Sequence, residues 1–562
     1  MCLPAGWRNL LTCLWFGWAA ESVVGVEPDL PRSSGAVLNG PLADAALTSA
    51  GDAARGRKLF HADDRTKCGV CHVADGKGGK IGPDLSKIGG KFDRIHLIES
   101  ILEPSKQIVE GYQTTVLVTA DGVALTGIVR SEDTRQLTIE DAAGKTSTVA
   151  IDEIESRKVS DVSIMPDDLE RQISADEFAD LIAYLETLKI DQGNKWGSDT
   201  NGPIRIAEGF RVRTIATGLD AAVALEVLDD GRVLIAQQTG SLRVVANDRL
   251  IDQPMLHLDV EHYWERGLIG VTVDPDFANE PWVYVCYVVD EPYTHHVVAR
   301  FPVQGNIADP SAGEILLEGD DQESFGGFKK SGHQGGAIHF GPDGCLYIGL
   351  GEQTAKTPSQ SLDALQGKIL RIHRDGSIPD DNPLIDQTEG KYQSIWAMGC
   401  RNPFTFAIDD DGTMMINDVG GKFEEINRGV SGANYGWGSI PHGPTNDPAF
   451  TGPIHFYPES SINGGDFAPA SMTGKTADGK PLAGRYFFAD YVQGFIRSID
   501  ASRDPVGGES LEFEPFAAGL RRVVDLRFAD DGSLYALVRN AWVMDDKFQN
   551  NAGSLLKIEA IR

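Results

Sequence analysis

Basic residues are scarce in this 562-residue chain: 51 Lys and Arg stand against 82 Asp and Glu, and the formal net charge is −31. A surface of that sign repels phosphate groups, so the composition argues against nucleic acid as a partner. The acidity favours solubility and suits a basic protein partner. With 41% hydrophobic and 24% charged residues, the chain has the composition of a soluble globular protein.

Cysteines are also few, with seven in the chain. Cys2 and Cys13 lie in the first twenty residues, and Cys68 and Cys71 belong to one short motif. The others are Cys286, Cys345 and Cys400. Three cysteines cannot all pair, so a disulfide framework is not expected, and each is predicted to be a small buried apolar residue.

Apolar runs long enough to cross a membrane are absent. The run Leu10–Ala20 is too short to span a bilayer, and it contains Gly17-Trp18-Ala19, a small-x-small cleavage pattern. We therefore expect residues 1–20 to be a secretory signal peptide and the protein to be periplasmic or otherwise exported. An uncleaved anchor is the alternative. No transmembrane segment is expected after signal removal.

The length predicts two or three domains. Residues 21–50 are rich in Pro, Gly, Ser and Ala without periodicity, which predicts a flexible leader. Residues 51–189 form one predicted unit, and residues 190–202 are polar and contain glycine, as a linker does. Residues 203–562 are almost entirely strand and turn.

The 51–189 unit combines helical and strand patterns. A helical stretch around Ala53–Phe60 opens it, and the capping box Ser174–Glu177 begins an amphipathic helix that closes it. Between the helices lie short β-branched runs separated by hairpin turn signals. These runs are Gln113–Thr119, Ala124–Arg130, Gln136–Asp141 and Thr146–Ile151. The pattern predicts a mainly α domain with a small β insertion at about residues 112–158.

Residues 203–562 repeat one unit, in which an acidic or glycine-containing turn precedes a strand of alternating apolar residues. The copies are "VLDDGRVLIAQQTG", "DPDFANEPWVYVCY", "GPDGCLYIGLGEQ", "DDDGTMMINDVGG", "LAGRYFFADYVQGFIRSI" and "ADDGSLYALV". Six copies predict an all-β six-bladed propeller, with a pair of β-sandwiches as the alternative. The predicted fold class is thus multidomain: a mainly α domain with a small β insertion, plus the propeller.

Cys68-Gly69-Val70-Cys71-His72 is a CxxCH motif. Two thiols three positions apart each form a thioether to a haem vinyl group, and the adjacent imidazole then ligates the iron. A zinc site is the alternative, but it needs a second pair of ligands, and the chain has no second CxxC. The motif predicts one covalent haem c bound by Cys68, Cys71 and His72.

The sixth iron ligand is predicted to be Met165, in "DVSIMPDDL", because it precedes the closing helix and Pro166 stiffens its loop. A Met ligand raises the reduction potential of the haem. His61 and His96 are the alternatives: His61 lies close to the CxxCH motif, and His96 is expected on a helix.

Several stretches of this unit resemble the planctomycete-type c-haem domain, a class I cytochrome c with a β insertion before the Met loop. They are "GRKLF", "CGVCH", "IGPDLSKIGG", "ILEPSKQIVEGY", "GIVR" and "SIMPDDL…ADLIAYLETL". The resemblance covers nearly all of residues 51–189. It implies covalent haem c with His72 and Met165 as axial ligands.

The 203–562 region carries polar residues where propeller strands are ordinarily apolar. His333 stands among glycines, which let a ligand approach the backbone closely. Glu352 follows the next predicted strand, and Arg401-Asn402 follows another. The stretch "NDVGGKFEEINRGVSGANYGW" combines acidic groups, glycines and free carbonyls, which suit a hard cation. A structural His and an ordinary acidic loop are the alternatives.

These fragments, in this order, resemble the soluble pyrroloquinoline quinone (PQQ) dependent glucose/sorbosone dehydrogenase family, a six-bladed propeller. The matching stretches are "ERGLIGVTVDPDF", "GHQGGAIHFGPDGCLYIGLGEQ", "LQGKILRIHRDGSIPDDNP", "MGCRNPFTFAIDDDG", "EEIN", "NYGW" and "RRVVDLRFADDGSLYAL". The resemblance covers about residues 203–562.

The resemblance implies a role for each matching residue. His333 falls at the catalytic His that takes the substrate hydroxyl proton, and Glu352 at an acidic position that orients this imidazole. Arg401 and Asn402 fall at the pair that holds the quinone, where Arg401 stabilises the developing alkoxide. Arg522 falls in the same cofactor pocket.

Other positions complete or depart from the family pattern. Gly420 and Gly421 match backbone carbonyls that hold a possible Ca²⁺ against the quinone. Glu265 stands where the family commonly has Gln, and Val524 replaces the second Arg of an Arg-x-Arg pair. Two residues are candidates for the family's cofactor lysine, Lys475 and Lys480.

Two functions fit this sequence. The first is an exported quinohaemoprotein dehydrogenase that oxidises a sugar or alcohol at PQQ and passes electrons singly to haem c and on to a redox partner protein. The second is an electron-transfer cytochrome carried on a non-catalytic carbohydrate- or protein-binding propeller. The single CxxCH excludes a dihaem peroxidase.

Overall fold

The computed structural model describes residues 40–62, 65–92, 94–106, 108–109, 111–132, 135–160, 162–189, 203–325, 332–458, 460–506, 508–539 and 552–561. The predicted signal peptide, most of the predicted leader and the whole predicted linker lie outside these residues. In the ranges just given, no helix is both long enough and apolar enough to cross a membrane.

The first part of the described chain, up to residue 189, is built around helices, and we call it the helical unit. Its helices are α1 (Pro41–Thr48), α2 (Ala53–Phe60), α3 (Cys68–Cys71), α4 (Ile88–Lys91), α5 (Arg94–Leu102) and α6 (Ala175–Thr187). Helix α6 lies at the centre, where α1, α2, α4 and α5 all contact it. Buried side chains such as Phe60, Ile98 and Phe178 form a single hydrophobic cluster between these helices.

Side-chain caps fix where the two main helices begin. At the start of α2, the Asp52 carboxylate accepts hydrogen bonds from the main-chain N–H groups of Ala54 (2.9 Å) and Arg55 (3.0 Å). At the start of α6, Ser174 and Glu177 cap each other's main-chain N–H groups, so the predicted capping box is confirmed.

Helix α1 corrects one prediction. Its eight residues fall in the segment predicted as a flexible leader, yet Leu42, Ala43 and Ala46 are buried in the cluster around α6. The leader prediction is wrong there because Pro41 suits the first helical position and the following Leu and Ala residues are good helix formers. Packing against α6 then supplies the stability that so short a helix lacks on its own.

A five-stranded antiparallel sheet, here called the insert sheet, lies between α5 and α6. Its strands are β1 (Thr114–Thr119), β2 (Ala124–Glu132), β3 (Gln136–Glu140), β4 (Thr146–Ala150) and β5 (Ile154–Val159), in the spatial order β4-β3-β2-β1-β5. Leu117, Leu137 and Ile139 form a small core of its own. Burial alternates along β3, as expected for a strand with one face covered.

Six further sheets occupy residues 203–561, and we call this part the ring. Two strands come first and join its last two sheets: β6 (Arg205–Ile206) and β7 (Phe210–Leu219). The first sheet holds β8 (Ala222–Val227), β9 (Val233–Gln237), β10 (Ser241–Ala246), β11 (Arg249–Leu250) and β12 (Leu256–His257). The second holds β13 (Leu268–Val273), β14 (Trp282–Val289), β15 (His295–Gln304), β16 (Ile307–Ala308) and β17 (Glu314–Glu318).

The remaining sheets follow in chain order. The third holds β18 (Gly335–Phe340), β19 (Leu346–Leu350), β20 (Lys368–Ile372) and β21 (Ile395–Met398), and the fourth β22 (Pro403–Ile408), β23 (Met414–Asp418), β24 (Phe423–Arg428) and β25 (His455–Pro458). The fifth holds β26 (Ile462–Phe467), β27 (Tyr486–Asp490), β28 (Phe495–Ile499), β29 (Phe513–Ala518) and β6. The sixth holds β30 (Val523–Phe528), β31 (Leu534–Val538), β32 (Gly553–Ala560) and β7.

The six sheets close into a propeller-like ring. The first strand of each, which we call its inner strand, contacts the inner strands of both neighbours, and β30 returns to contact β8. Strand β7 pairs antiparallel with β32, from Phe210 opposite Ala560 to Leu219 opposite Gly553, so the start of the region completes its last sheet. The chain is therefore mostly β, and the alternative of two β-sandwiches is wrong.

The inner strands all run in the same direction. A Cβ on Gly270 would lie 2.0 Å from the Gly336 carbonyl oxygen, and one on Gly464 would lie 2.9 Å from the Leu526 nitrogen. Two residues further along both β26 and β30, the Phe528 N–H donates to the Asp466 carboxylate at 2.7 Å, so the contacts advance in the same direction on both strands. The residues that precede the inner strands therefore gather at one end of the ring, which we call the upper end.

Charged side chains fill the centre of the ring. Arg527 on β30 contacts the His339 ring and lies 3.8 Å from the Asp525 carboxylate. Burial raises the pKa of Glu226 to about 7, which the Arg527 charge opposes and the Asp466 charge reinforces. His339 lies 3.8 Å from Glu226 but stays neutral, because burial and Arg527 hold its pKa well below the usual range.

This cluster predicts a pH dependence of the ring's stability. Folding raises the pKa of Glu226 from 4.5 to about 7. The contribution of this carboxyl to the free energy of unfolding is therefore fully present below pH 4.5 and is lost as the pH rises through about 7. Glu226→Gln should therefore raise the free energy of unfolding by about 1–3 kcal/mol at pH 8 and flatten its pH profile. Tryptophan fluorescence measures this, because residues 40–189 contain no Trp.

The exposed Glu512 provides the matched control. Glu512→Gln removes the same charge from the surface and should leave the profile unchanged. Equal profiles for Glu226→Gln and the parent protein between pH 4.5 and pH 8 would contradict the assignment.

Candidate active site and haem attachment site

His333 stands at the upper end of the ring, two residues before β18. Its backbone is left-handed, with φ 57°, a conformation that few residues other than glycine adopt. Its ring Nδ1–H donates a 2.6 Å hydrogen bond to Glu352 Oε1, with the His side chain 11% exposed and the Glu side chain fully buried. The carboxylate only accepts, so this bond assigns the proton to Nδ1 and leaves Nε2 as the basic nitrogen.

Glu352 is itself held by the main chain around it. Its second oxygen accepts a hydrogen bond from the Lys356 N–H, and its own N–H donates to the Arg401 carbonyl at 2.9 Å. The Gln353 N–H donates to the His333 carbonyl at 3.2 Å. The His–Glu pair therefore has a fixed orientation and is joined directly to the Arg401 segment.

Arg401 and Asn402 end the connection that leads into the inner strand β22. Both main-chain N–H groups donate to the Asp418 carboxylate, at 3.0 Å and 2.6 Å. The Arg401 Nη1 donates to the Val419 carbonyl at 2.7 Å, and its guanidinium lies 5.3 Å from the centre of the Trp437 ring. These contacts hold a buried cation at the same end of the ring as His333.

Glu265 joins the same group of residues. Its Oε2 accepts from the Gln334 N–H at 3.1 Å and from Asn402 Nδ2 at 3.4 Å. Asn402 Oδ1 in turn accepts from the Gly335 N–H at 2.9 Å. Glu265 is therefore part of the site and supports the strand that follows His333.

Gly420 and Gly421, the predicted calcium positions, have different surroundings. A Cβ on Gly420 would lie 2.4 Å from the His442 Nδ1, whereas one on Gly421 would meet no atom within 4 Å. Next to Gly420, Asp418, Glu425 and His442 bring their ligand atoms within 4.8 Å of one another. Burial opposes a charge on His442, but Glu425 and Asp418 outweigh it and raise the pKa of this imidazole to about 9.

Arg522 and Arg539 supply two further buried cations at the upper end. Arg522 precedes β30, and Arg539 follows β31 with its main-chain N–H bonded to the Arg522 carbonyl at 2.8 Å. Burial is the main influence on the pKa of Arg539 and lowers it, while Tyr491, Asp220 and Glu265 favour its charged form. Arg539 therefore brings a second buried cation to the upper end, next to Arg522.

Lys475 and Lys480 do not supply that cation. Both are exposed in the connection between β26 and β27, at the end of the ring opposite to His333. Lys480 pairs with Asp478 at 2.8 Å.

The CxxCH motif forms the short helix α3 and the turn after it. The His72 ring Nδ1 lies 2.8 Å from the Pro83 carbonyl, which fixes its tautomer and leaves Nε2 for a metal. A Cβ on Gly82 would lie 2.4 Å from His72 Cε1, so only glycine fits against the ring there. Two half-buried thiols, Cys68 and Cys71, stand one helical turn apart beside this imidazole. The donor set fits covalent haem.

The three candidates for the sixth iron ligand lie in different places. Met165 is half-buried and packs against the same cluster of core residues as Cys68. The His61 Nδ1 lies 3.1 Å from the position that a Cβ on Gly69 would take. His96 is buried and stacked on Phe92 with ring centres 4.0 Å apart. Met165 remains the predicted ligand.

Four site residues were not predicted individually from the sequence: Asp418, Trp437, His442 and Arg539. They lie on loops and strand ends that meet the predicted residues only after the sheets close. Asp418 and Trp437 lie within the stretch "NDVGGKFEEINRGVSGANYGW", whose acidic, glycine-containing pattern was the one available signal, and His442 lies outside it. Nothing local distinguishes Arg539 from the other arginines.

Two family models match the chain. The glucose/sorbosone dehydrogenase model matches residues 203–543, which is more than half of the chain. The cytochrome c model matches residues 53–120. The first range falls within the ring and the second includes the CxxCH motif.

Named relatives match in part. Aldose sugar dehydrogenase YliI of Escherichia coli is 31% identical over 232 residues, 40% of this chain and 61% of that protein. Quinoprotein glucose dehydrogenase B of Acinetobacter calcoaceticus is 26% identical over 251 residues, 40% of this chain and 49% of that protein. The chain thus spans about half to three-fifths of the length of these relatives.

A solved structure gives the same fold for the ring. The crystal structure of an oxidoreductase (glucose dehydrogenase) from Thermus thermophilus is 27% identical to this chain and has a TM-score of 0.53. The likeness covers 62% of this chain and 100% of that one.

Met165 as the sixth iron ligand predicts a spectroscopic difference between variants. In Met165→Ala, ferric haem should lose the charge-transfer band of a Met–iron bond, because residues 40–189 contain no other Met. Its reduction potential should fall by on the order of 0.1 V or more. His61→Gln and His96→Gln, the matched controls, should keep the band. Loss of the band in either His variant, or its survival in Met165→Ala, would contradict Met165 as the ligand.

Proposed function

The chain belongs to the glucose/sorbosone dehydrogenase family, and from that premise we propose that it is an exported quinohaemoprotein dehydrogenase. In this proposal a sugar or alcohol is oxidised at PQQ in the six-bladed propeller, and the electrons pass to covalent haem c. The observation that carries the proposal is the bond between the buried Glu352 carboxylate and the His333 imidazole at the upper end.

His333 is the proposed general base. Its Nε2 takes the hydroxyl proton of the substrate as the CH–OH group becomes a carbonyl. Glu352 accepts from Nδ1, so it keeps Nε2 basic and stabilises the imidazolium that forms. Because Glu352 is held by Lys356 and is joined to Arg401, the pair does not need to reorganise during the reaction.

Arg401 and Asn402 are proposed to hold the cofactor and the developing charge. The Arg401 guanidinium is fixed by Val419 and Trp437, so its charge is pre-oriented toward an alkoxide formed at the substrate oxygen. Arg522 and Arg539 add positive charge at the same end, which suits a cofactor with several carboxylates. A PQQ molecule held by these residues would supply a two-electron acceptor for the carbon-bound hydrogen and a route by which the electrons leave singly.

A calcium ion is part of the proposal. The carbonyls of Gly420 and Gly421 are its proposed ligands, and Asp418 and Glu425 supply negative charge beside Gly420. Carbonyl and carboxylate oxygens are the ligands that Ca²⁺ prefers.

The haem-bearing unit is the proposed electron outlet. Oxidation of one CH–OH group releases two electrons and two protons, whereas haem iron cycles between Fe(III) and Fe(II) and takes one electron at a time. A one-electron acceptor protein must therefore reoxidise the iron twice for each substrate molecule. Tethering the haem to the ring keeps its effective concentration high.

The proposal predicts haem reduction that depends on substrate. Oxidised, haem-loaded protein is mixed with PQQ, Ca²⁺ and a panel of aldoses and alcohols, and the absorbance of ferrous haem is followed. At least one substrate should reduce the haem. His333→Ala should slow this reduction by about 10²–10⁴-fold because the general base is lost, and Glu352→Gln should have a smaller effect.

The exposed His257 on β12 provides the matched control, and His257→Ala should keep the parent rate. A non-catalytic binding propeller predicts the opposite pattern: PQQ is not taken up, no member of the panel reduces the haem, and His333→Ala behaves like the parent protein.

A further inference from the structure

Arg522 links the ring to the helical unit. Its Nη1 and Nη2 both donate to the Lys91 carbonyl, each at 3.3 Å, and Nη1 also donates to the Tyr491 carbonyl at 3.4 Å. The guanidinium lies 5.3 Å from the centre of the Tyr491 ring. Arg522 is buried, and its φ of 61° shows a backbone held in an uncommon conformation by its surroundings.

The carbonyl that Arg522 binds belongs to a helix end. Lys91 is the last residue of α4, and the carbonyls at the end of a helix are bonded by groups outside that helix. A forked guanidinium satisfies it with two donors, as arginine is suited to do. The Arg522 guanidinium on the ring therefore supplies hydrogen-bond donors to a helix-end carbonyl of the helical unit.

The residues that follow Lys91 bring a buried histidine within the electrostatic influence of Arg522. Phe92 stacks on His96 at a centre-to-centre distance of 4.0 Å, and His96 is buried. Burial lowers the pKa of His96 to about 3, and the nearby charge of Arg522 lowers it further than the charges of Lys91 and Lys106 do. A ring residue thus acts on the inside of the helical unit, which places the two units close together.

We propose that the helical unit docks on the upper end of the ring through the main chain of Lys91, with the Arg522 guanidinium as the clamp. The surface on the ring is Arg522 with the Tyr491 turn, and its occupant is the α4 segment of the same chain. Both lie at the end of the ring that carries His333 and Arg401.

The docking itself does not depend on the proposed function, but the purpose assigned to it does. If the ring oxidises a substrate at the upper end, the clamp holds the haem-bearing unit above that end instead of leaving it free on a linker. The clamp is therefore a positioning residue for electron transfer.

Hydrogen exchange tests the clamp without quinone or substrate. In the haem-loaded full chain, Arg522→Ala should make the amides of residues 88–92 exchange about tenfold faster or more, because the docked segment opens more often. The half-buried neighbour Arg521 provides the matched control, and Arg521→Ala should leave these rates unchanged. Equal rates in Arg522→Ala and the parent protein would overturn the proposal.

A cross-link tests the docking in a protein that keeps Arg522. Lys91→Cys with Arg521→Cys should be joined rapidly by a short bismaleimide, whereas Lys91→Cys with Lys475→Cys, at the opposite end of the ring, should not. Cys2 and Cys13 are replaced by Ser in both pairs. Of the other cysteines, Cys68 and Cys71 carry the haem and Cys286, Cys345 and Cys400 are buried, so they do not compete. Equal cross-linking of the two pairs would overturn the docking.

The outcomes separate this proposal from the proposed function. Cross-linking of the first pair without any haem reduction by substrate supports the clamp and removes the dehydrogenase. Haem reduction by substrate without selective cross-linking supports the dehydrogenase and removes the clamp.

Discussion

The inner strands of the ring all run in one direction, and the chemistry of the molecule depends on that constraint. Long stretches of chain separate the loops before β18, β22 and β30, yet parallel inner strands bring them to the same end. His333, Arg401 and Arg522 each occupy one of these loops. These loops belong to three different sheets, and the pairing of β7 with β32 closes the last sheet of the ring.

The buried carboxylates at the upper end are hydrogen-bonded to neighbouring donors. Glu352 is bonded to His333, and Asp418 accepts the main-chain N–H groups of Arg401 and Asn402. Leaving one such charge buried without its partner costs several kcal/mol, so these pairs hold one another in place. The result is a set of fixed dipoles and charges that needs no rearrangement to meet a developing charge. A buried arginine bonded to a main-chain carbonyl likewise joins the helical unit to the ring.

Local patterns predicted much of the fold and less of the site. The four predicted strands of the insert sheet are observed to within two residues, because β-branched runs and turn signals are local. Strand β5 was missed because "IESRKV" is mostly exposed and charged, and α1 was missed because its stability comes from α6. Within the site, motifs pointed to His333 and Arg401. His442 and Arg539 enter through contacts between distant segments, for which a single sequence holds no signal.

In the proposed function, one chain oxidises a substrate in its ring and delivers the electrons to its own haem. Rapid mixing of PQQ-loaded protein with a saturating aldose, without oxygen, tests it through the dependence of the haem reduction rate on protein concentration. A first-order rate constant that stays the same over a hundredfold range of concentration is the predicted result, because donor and acceptor share one molecule. A rate constant that rises in proportion to protein concentration, or no reduction of the haem, would contradict the account.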